Sequence, residues 1–312
     1  MAKKLISIVT PCYNEELNVR ELYLRMRAVM SEFPDYDYEH VFIDNASRDA
    51  TVAILREIAA VDGNVKVIVN ARNFGHLRSP MYAFLQAQGD AVGMLYADLQ
   101  DPPELFRQMI RQWEDGFPIV AAIKNASDES GLMYRIRTAY YRLVASLTDV
   151  RVLPHYTGFG LYDKRVVELL REKFKDPYPY FRGMIAELGL PHCEVEYRQK
   201  QRMRGITKNN FYTLYDLAML GITNLSKVPL RLVTFCGFIS AMLSLILGIF
   251  YFVYKLVYWN SFSVGVAPLV LGLFFLGSVQ LLALGIIGEY IGSIHTIVQD
   301  RPLVIEKERI NF

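Results

Sequence analysis

Over the first 190 or so residues, short apolar runs rich in β-branched side chains alternate with stretches whose apolar positions recur at helical spacing. The runs are LISIVTP (5–11), HVFIDN (40–45), VKVIVN (65–70), AVGMLYAD (91–98) and FPIVAAI (117–123), and each reads as a strand. The gaps leave room for helices, expected to begin near Glu15, Asp49, Leu77, Pro103 and Gly131. This rhythm predicts an α/β fold: a mainly parallel sheet with helices on both faces. GFGLYDKR (158–165) contains G-x-G without the rest of a dinucleotide fingerprint and reads as a loop. No repeat or low-complexity tract interrupts the pattern.

Beyond residue 196 the pattern changes. YRQKQRMRGITKNN (197–210) is a polar, basic break, and FYTLYDLAMLGITNLSKVPLRL (211–232) is apolar enough to lie along a bilayer surface or to pack on the domain as an ordinary amphipathic helix. Two charge-free runs follow, Leu232–Tyr254 and Phe262–Gly288, each long enough to cross a hydrocarbon core of roughly 30 Å. The expected division is a domain over 1–210, an interfacial helix over 211–230, a transmembrane hairpin over 231–291 (crossings at about 232–254 and 264–288) and a tail over 292–312. Lys208, Lys227 and Arg231 precede the hairpin, Arg301, Lys307 and Arg309 follow it, and the connecting loop holds only Lys255. The positive-inside rule then puts the domain and both termini on the cytoplasmic side of the inner membrane. Tyr254, Tyr258, Trp259 and Phe262 sit at the interface, and small residues (Gly237, Gly248, Gly272, Gly277, Gly285, Gly288) permit close packing of helices or of a homo-oligomer. A net charge of +2 gives no broad basic face, so nucleic acid is not expected as a partner, and three scattered cysteines exclude a disulfide framework or a zinc ribbon.

Polar residues gather where the strands end. The first strand runs into TPCYNEE, where Asn14 is a candidate helix cap, and the second into IDNASRDAT, where Ser47 or Asp49 is one. Asp44, at the tip itself, has no obvious capping duty. The third strand leads into NARNFGH, where Asn73 and Gly75 allow a tight turn and His76 is a pocket-wall or cap residue. The fourth ends in MLYADLQDPPE (94–104): Asp98, Gln100 and Asp101 sit in a turn that two prolines close. In open α/β sheets ligands bind beyond the carboxyl ends of the strands, so this edge is the place to look for something cationic or held through a cation.

PCYNE, DNAS-RDAT, RNFG and ADLQDPPE, with YFRG, RMRGITK, GIIGEYIG and DRP downstream, resemble family 2 glycosyltransferases of the GT-A fold along nearly the whole chain. The branch they resemble most is the polyprenyl-phosphate glycosyltransferases, similar to dolichol-phosphate mannose synthases and bacterial undecaprenyl-phosphate sugar transferases. The resemblance implies a Rossmann-like GT-A sheet and inverting transfer of a monosaccharide from a nucleotide-diphosphate sugar, a UDP-sugar being favoured, to a polyprenyl phosphate for cell-envelope or glycan assembly. It implies that Pro11, Tyr13, Glu15, Asp44, Ser47, Asn73 and Asp98 hold the donor. Asp98 and Gln100 would bind Mg²⁺ or Mn²⁺. Lys124, Arg135, Arg137, Arg202, Arg204 and Lys208 would meet the acceptor phosphate, with Asp98, Arg202 and Lys208 forming the catalytic set.

The chain departs from the family pattern twice. Many relatives carry D-x-D where this chain has Tyr96 before Asp98, which leaves fewer anionic ligands or passes part of the load to Asp101. Several place an Asp within the segment matching HYTGFGLYDKR, where Thr157 and Gly158 stand and the nearest acid is Asp163. A processive polysaccharide synthase shares the strand-tip motifs but carries Q-x-x-R-W and further spans, and neither occurs here. A catalytically silent, membrane-anchored sugar-nucleotide-binding scaffold is the alternative that Tyr96 keeps open.

Overall fold

The computed structural model describes residues 3–127, 153–199, 219–223, 226–258 and 266–312. Its strands are β1 (Lys4–Cys12), β2 (Tyr36–Asp44), β3 (Val65–Asn70), β4 (Ala91–Met94), β5 (Ile119–Ser127), β6 (Tyr156–Asp163), β7 (His192–Gln199) and β8 (Glu306–Ile310). The helices are α1 (Val19–Ser31), α2 (Thr51–Val61), α3 (Gly75–Gln86), α4 (Phe106–Glu114), α5 (Lys164–Lys173), α6 (Phe181–Glu187), α7 (Val228–Val257) and α8 (Val266–Val298). All eight strands form one sheet in the order β7, β5, β6, β4, β1, β2, β3, β8. Pairing is parallel among β4, β1, β2 and β3 and between β5 and β7; β6 and β8 run antiparallel to their neighbours.

Alternation along the strands sends side chains to two cores. Ile6 and Ile8 of β1 and Phe42 of β2 pack with Leu22 and Met26 of α1, Leu55 of α2 and Phe106 of α4. Val9, Val41 and Ile43 face the other way, onto Phe84 of α3, Leu170 of α5 and Met184 of α6. Both faces being covered explains why the central strands read as unbroken apolar runs. The expected α/β fold with helices on both faces is the observed one.

Two local expectations are corrected. GFGLYDKR is no loop: most of it is β6, an interior strand wedged between β4 and β5. Its glycines serve packing, since a Cβ on Gly160 would lie 2.5 Å from the Val120 carbonyl oxygen, and Asp163 caps α5 by accepting from the Arg165 N–H. Asn14 caps no helix. The chain turns through residues 15–18, with the Asn18 and Val19 N–H groups both donating to the Glu15 carbonyl, so α1 starts only at Val19. The second apolar helix runs past Gly288 through Glu289 to Val298.

Two stretches, Val228–Tyr254 and Gly272–Val298, are each 27 residues long and apolar enough to cross a membrane. At 1.5 Å per residue each measures about 40 Å, more than a hydrocarbon core of roughly 30 Å. Their large side chains are uncovered: Phe238 and Phe274 are each 68% exposed and Leu281 72%. Tyr290 of α8 donates to the Ser226 carbonyl at 2.7 Å, just ahead of α7.

The segment after α8 is built into the sheet. β8 lines the free edge of β3, pairing Val67 with Ile310 and Val69 with Glu308. Arg56 binds the Glu308 carboxylate, Tyr82 donates to Glu306 at 2.7 Å, and the Asn311 amide donates to the Ala59 and Val65 carbonyls at 2.8 and 2.9 Å. An edge that would otherwise present unpaired backbone groups is closed.

Gly160→Ala is expected to destabilise the domain by about 1–3 kcal/mol, because backbone must move to admit the methyl group. A thermal melt in detergent checks this, with Gly63→Ala, where a Cβ meets nothing within 4 Å, expected to leave the melting temperature unchanged.

Candidate active site

Parallel register brings the ends of the first three strands level: Cys12 pairs with Asp44, and Asp44 with Val69. The loops that leave these ends are stitched together by side chain–backbone hydrogen bonds. Ser47 Oγ accepts from the Asn14 N–H at 2.8 Å, Asn14 Oδ1 accepts from the Arg48 N–H at 2.8 Å, and Thr51 Oγ1 accepts from the Glu15 N–H at 2.9 Å. Glu16 accepts from the Ala50 N–H at 2.8 Å, and Asp49 from the Thr51 N–H at 3.0 Å. Asn14, Ala46 and Leu99 all take left-handed backbone angles, with φ of 54°, 61° and 57°. Non-glycine residues seldom adopt this conformation, and it gathers at functional sites where surrounding bonds hold it. Here one such residue follows each of β1, β2 and β4.

The expected donor residues divide by role. Asp44 is fully buried; its Oδ2 accepts from the Ser47 N–H at 2.9 Å, while Oδ1 is buried without a partner among the described residues. Burial pushes its carboxyl up, and the Ser47 bonds only partly offset this. An unsatisfied buried oxygen costs roughly 1–3 kcal/mol, so this one is an acceptor awaiting a donor N–H or O–H. Pro11 lies in β1 and Tyr13 just beyond it, both half-buried. Glu15 is buried and accepts from the Asn18 amide at 2.6 Å, and Ser47 is engaged by Asn14, so these two shape the loops. Asn73 Oδ1 accepts from the Gly75 N–H at 2.8 Å and from the Asn45 amide at 3.0 Å, closing the turn after β3. Asn45, quoted in DNAS-RDAT but given no role there, organises that turn: it also accepts from the Phe74 N–H at 2.8 Å and from the Asn70 amide at 3.2 Å.

The β4 turn separates its acids. Asp98 is half-buried and its Oδ1 accepts from the Gln100 N–H at 3.2 Å. Asp101 is only 3% exposed, and its Oδ1 accepts from Tyr197 at 2.5 Å and Gln199 at 3.2 Å. Lys124 donates to Gln199 at 2.7 Å, and its charge opposes the burial that raises the Asp101 carboxyl. Asp101 and Lys124 therefore brace β5 and β7 against the turn. Among the described residues no group of three or more His, Cys, Asp or Glu side chains is placed to cage a metal. Asp98 and Gln100 offer hard oxygen donors in one turn, and such a set suits a Mg²⁺-like cation that takes its remaining ligands from phosphates and water.

Both departures from the family pattern meet at one point. The Tyr96 hydroxyl donates to the Thr157 carbonyl at 3.1 Å, and burial pushes its pKa up to about 12, so it is a neutral bridge from β4 to β6. A Cβ on Gly158, which has φ of +100°, would lie 3.2 Å from that hydroxyl and 3.2 Å from the Phe181 ring. The tyrosine occupies the space that a side chain at 158 would need. Arg182, which the sequence presented only as part of YFRG, lies beside this pair: its Nη1 donates to the Tyr156 carbonyl at 3.3 Å.

The family model for "Glycosyl transferase family 2" matches residues 7–184. The chain belongs to glycosyl transferase family 2. An "Uncharacterized glycosyltransferase YkcC" of Bacillus subtilis is 36% identical over 96% of this chain and 92% of its own length. An "SfII prophage-derived bactoprenol glucosyl transferase" of Shigella flexneri is 33% identical over 97% of each. The Staphylococcus aureus TarS 1–349 structure with UDP-GlcNAc overlaps 72% of this chain and 67% of its own at 18% identity and a TM-score of 0.42, which carries nothing about ligands. In this glycosyltransferase Arg135, Arg137, Arg202, Arg204 and Lys208 lie outside the described residues, as do the expected helix start at Gly131 and residues 211–218, 224 and 225 of the expected interfacial helix.

A cavity of about 560 Å³ lies where α8 meets the domain, lined by Arg78, Asp176, Tyr178, Glu289 and Arg301 among others. None of the expected donor residues lines it; Arg78, whose guanidinium is 5.5 Å from the Phe74 ring of the β3 turn, stands between the two regions.

Asp44→Asn is expected to weaken nucleoside diphosphate binding tenfold or more, since the variant turns an acceptor into a donor at the orphaned position. The raised native pKa means that the folded state holds the proton more tightly than the unfolded chain, so this group's contribution to stability falls as pH rises above about 4. The variant lacks that slope. Titration calorimetry and melting temperatures of both proteins across pH 4 to 7 check the pair of outcomes.

Proposed function

We propose that the protein transfers a monosaccharide, with inversion, from a nucleotide-diphosphate sugar to a polyprenyl phosphate in the cytoplasmic membrane. The observation that carries this is the single sheet edge on which the Asp44 oxygen that lacks a partner among the described residues, at the end of β2, and the Asp98–Gln100 turn after β4 flank the end of β1. Asp44 would take an N–H of the base, with Pro11 and Tyr13 forming the floor. Asp98 and Gln100 would hold a Mg²⁺ or Mn²⁺ ion, which when bound supplies Lewis-acid stabilisation of the departing diphosphate. Relatives named bactoprenol glucosyl transferases, aligned over nearly their whole length, support the lipid acceptor. The two long apolar helices supply the membrane contact. Because β1 and β8 belong to the same sheet, a crossing by α7 and a return by α8 would leave both termini on one side.

The acceptor needs no protein base. A phosphate monoester has a second pKa near 6 and is mostly a dianion at cytosolic pH. Its oxygen attacks the anomeric carbon as the bond from that carbon to the diphosphate oxygen breaks, and a nucleoside diphosphate leaves with the electron pair. No proton is transferred, which fits a site where Gly158 and the neutral Tyr96 stand in place of acids. The chain's task is positioning and charge matching. Arg202 and Lys208, in RMRGITK, are assigned to the lipid phosphate, with Arg135, Arg137 and Arg204 as further cations.

Transfer of radiolabelled sugar from a nucleotide donor to undecaprenyl phosphate in detergent is the deciding assay. Wild-type protein is expected to be active with added Mg²⁺ or Mn²⁺ and inactive in EDTA; no metal-dependent transfer with any common donor favours the scaffold alternative. Asp98→Asn is expected to lower kcat at least 100-fold with an unchanged melting temperature, and full turnover refutes the metal assignment. Arg202→Ala and Lys208→Ala are expected to raise KM for the lipid at least fivefold more than KM for the donor, measured by varying each substrate in turn.

A further inference from the structure

The site holds a cation that the assignments above leave unused. Phe181 is set edge-on against Phe84 at 5.1 Å and Tyr162 at 5.4 Å, which fixes the start of α6 on the core. The next residue, Arg182, is thereby delivered to the strand-tip edge. Its Nη1 lies 3.3 Å from the Tyr156 carbonyl oxygen, and its guanidinium carbon is 5.5 Å from the Tyr180 ring centroid. The carbonyl of the following residue, Thr157, receives the Tyr96 hydroxyl. Arg182 and Tyr96 therefore dock on consecutive peptide groups at the start of β6, and Tyr96 is two residues from Asp98. The Arg182 charge is felt on both sides: after burial, it is the next cause that pulls the His76 imidazole down, and it opposes the burial that raises the Tyr96 phenol. His76 follows β3 and Tyr96 follows β4, so the two groups that feel this charge belong to the turns that carry the NFG and ADLQD motifs.

Local charge gives this placement its meaning. The β4 turn presents one carboxylate, Asp98, because Asp101 is buried against Tyr197 and Gln199 and Tyr96 is a neutral phenol. A single carboxylate and one amide oxygen bring little negative charge to a cation site, so two phosphoryl groups need further positive charge from the protein. A planar guanidinium is matched to that geometry, offering paired N–H donors to phosphoryl oxygens.

We propose that Arg182 binds phosphoryl oxygen at the strand-tip edge, taking on charge neutralisation that a second carboxylate-held cation would otherwise provide. This deepens the transferase reading and rests on it for the reaction, although phosphoryl binding itself needs no turnover. The diphosphate of the donor is the expected ligand; the phosphate of the lipid is the other source of the same chemistry.

The test uses full-length protein in detergent with EDTA and follows inorganic pyrophosphate and undecaprenyl phosphate binding by calorimetry. Arg182→Gln is expected to weaken pyrophosphate binding at least tenfold and leave undecaprenyl phosphate within twofold, with Arg182→Lys recovering part of the loss. A tenfold loss confined to undecaprenyl phosphate supports the phosphoryl site with the lipid as its source. Binding of both probes within twofold of wild type overturns the proposal. So does an absence of measurable binding of either probe to the wild type. A loss that Arg182→Lys shares in full, together with an equal fall in melting temperature, overturns it by showing a structural role only. None of these readouts requires sugar transfer, so the proposal and the transferase reading fail separately.

Discussion

The level ends of β1 and β2 are the constraint on which the site depends. Parallel pairing brings Cys12 opposite Asp44, and this register decides which loop residues can meet. The bonds from Asn14 to Ser47, Arg48 to Asn14, Glu15 to Thr51 and Ala50 to Glu16 all cross between the two loops. Slipping one strand by a residue would break this stitching and would send each alternating side chain to the opposite core. Polar residues that would serve as helix caps in isolation instead hold one loop against another. The left-handed conformations of Asn14 and Ala46 persist because both loops are tied on either side.

Charge in this site is distributed by burial more than by residue type. Three aspartates, Asp44 at the end of β2 and Asp98 and Asp101 after β4, each have a different task. Asp44 is sealed in with one oxygen bonded to Ser47 and one without a partner among the described residues. Asp101 is spent on Tyr197 and Gln199, and Asp98 alone is half-open to a ligand. The phenol of Tyr96 and the missing side chain of Gly158 are coupled through space: a Cβ at 158 would lie 3.2 Å from the Tyr96 hydroxyl, so a side chain there would need the tyrosine to give way. A departure from the family pattern that looks like two independent losses along the chain is one accommodation in three dimensions. It moves the site toward positive charge, with Arg182 at its border.

The C-terminal strand links this edge to the apolar helices. β8 follows α8 after a short connection and is pinned to β3, α2 and α3 by Glu308, Asn311 and Glu306. The end of α8 is thereby tethered to the strand whose tip carries the NFG turn. In the same region Arg78 of that turn's helix donates to the Pro302 carbonyl. Long apolar helices followed by a strand paired at the edge of the sheet are held more closely to the domain than helices followed by a free tail would be.

Much was legible along the chain. Unbroken β-branched runs can only be strands covered on both faces, so β1 to β5 and the α/β class followed from pattern alone. The ordered strand-tip motifs pointed to the family, and charge-free runs of more than twenty residues pointed to the two long helices. The rest depends on neighbours distant in sequence. β6 looked like a loop because its glycines answer to Val120 and Tyr96 across strand pairs, and no local propensity reports that crowding. β8 carries charges at four consecutive positions, Glu306 to Arg309, and pairs with a strand more than 200 residues earlier. Burial separated Asp44, Asp98 and Asp101, which residue type alone could not tell apart, and helix packing brought Arg182 to the edge they share. Backbone pattern is a property of short segments, whereas solvation and approach are set only when segments meet.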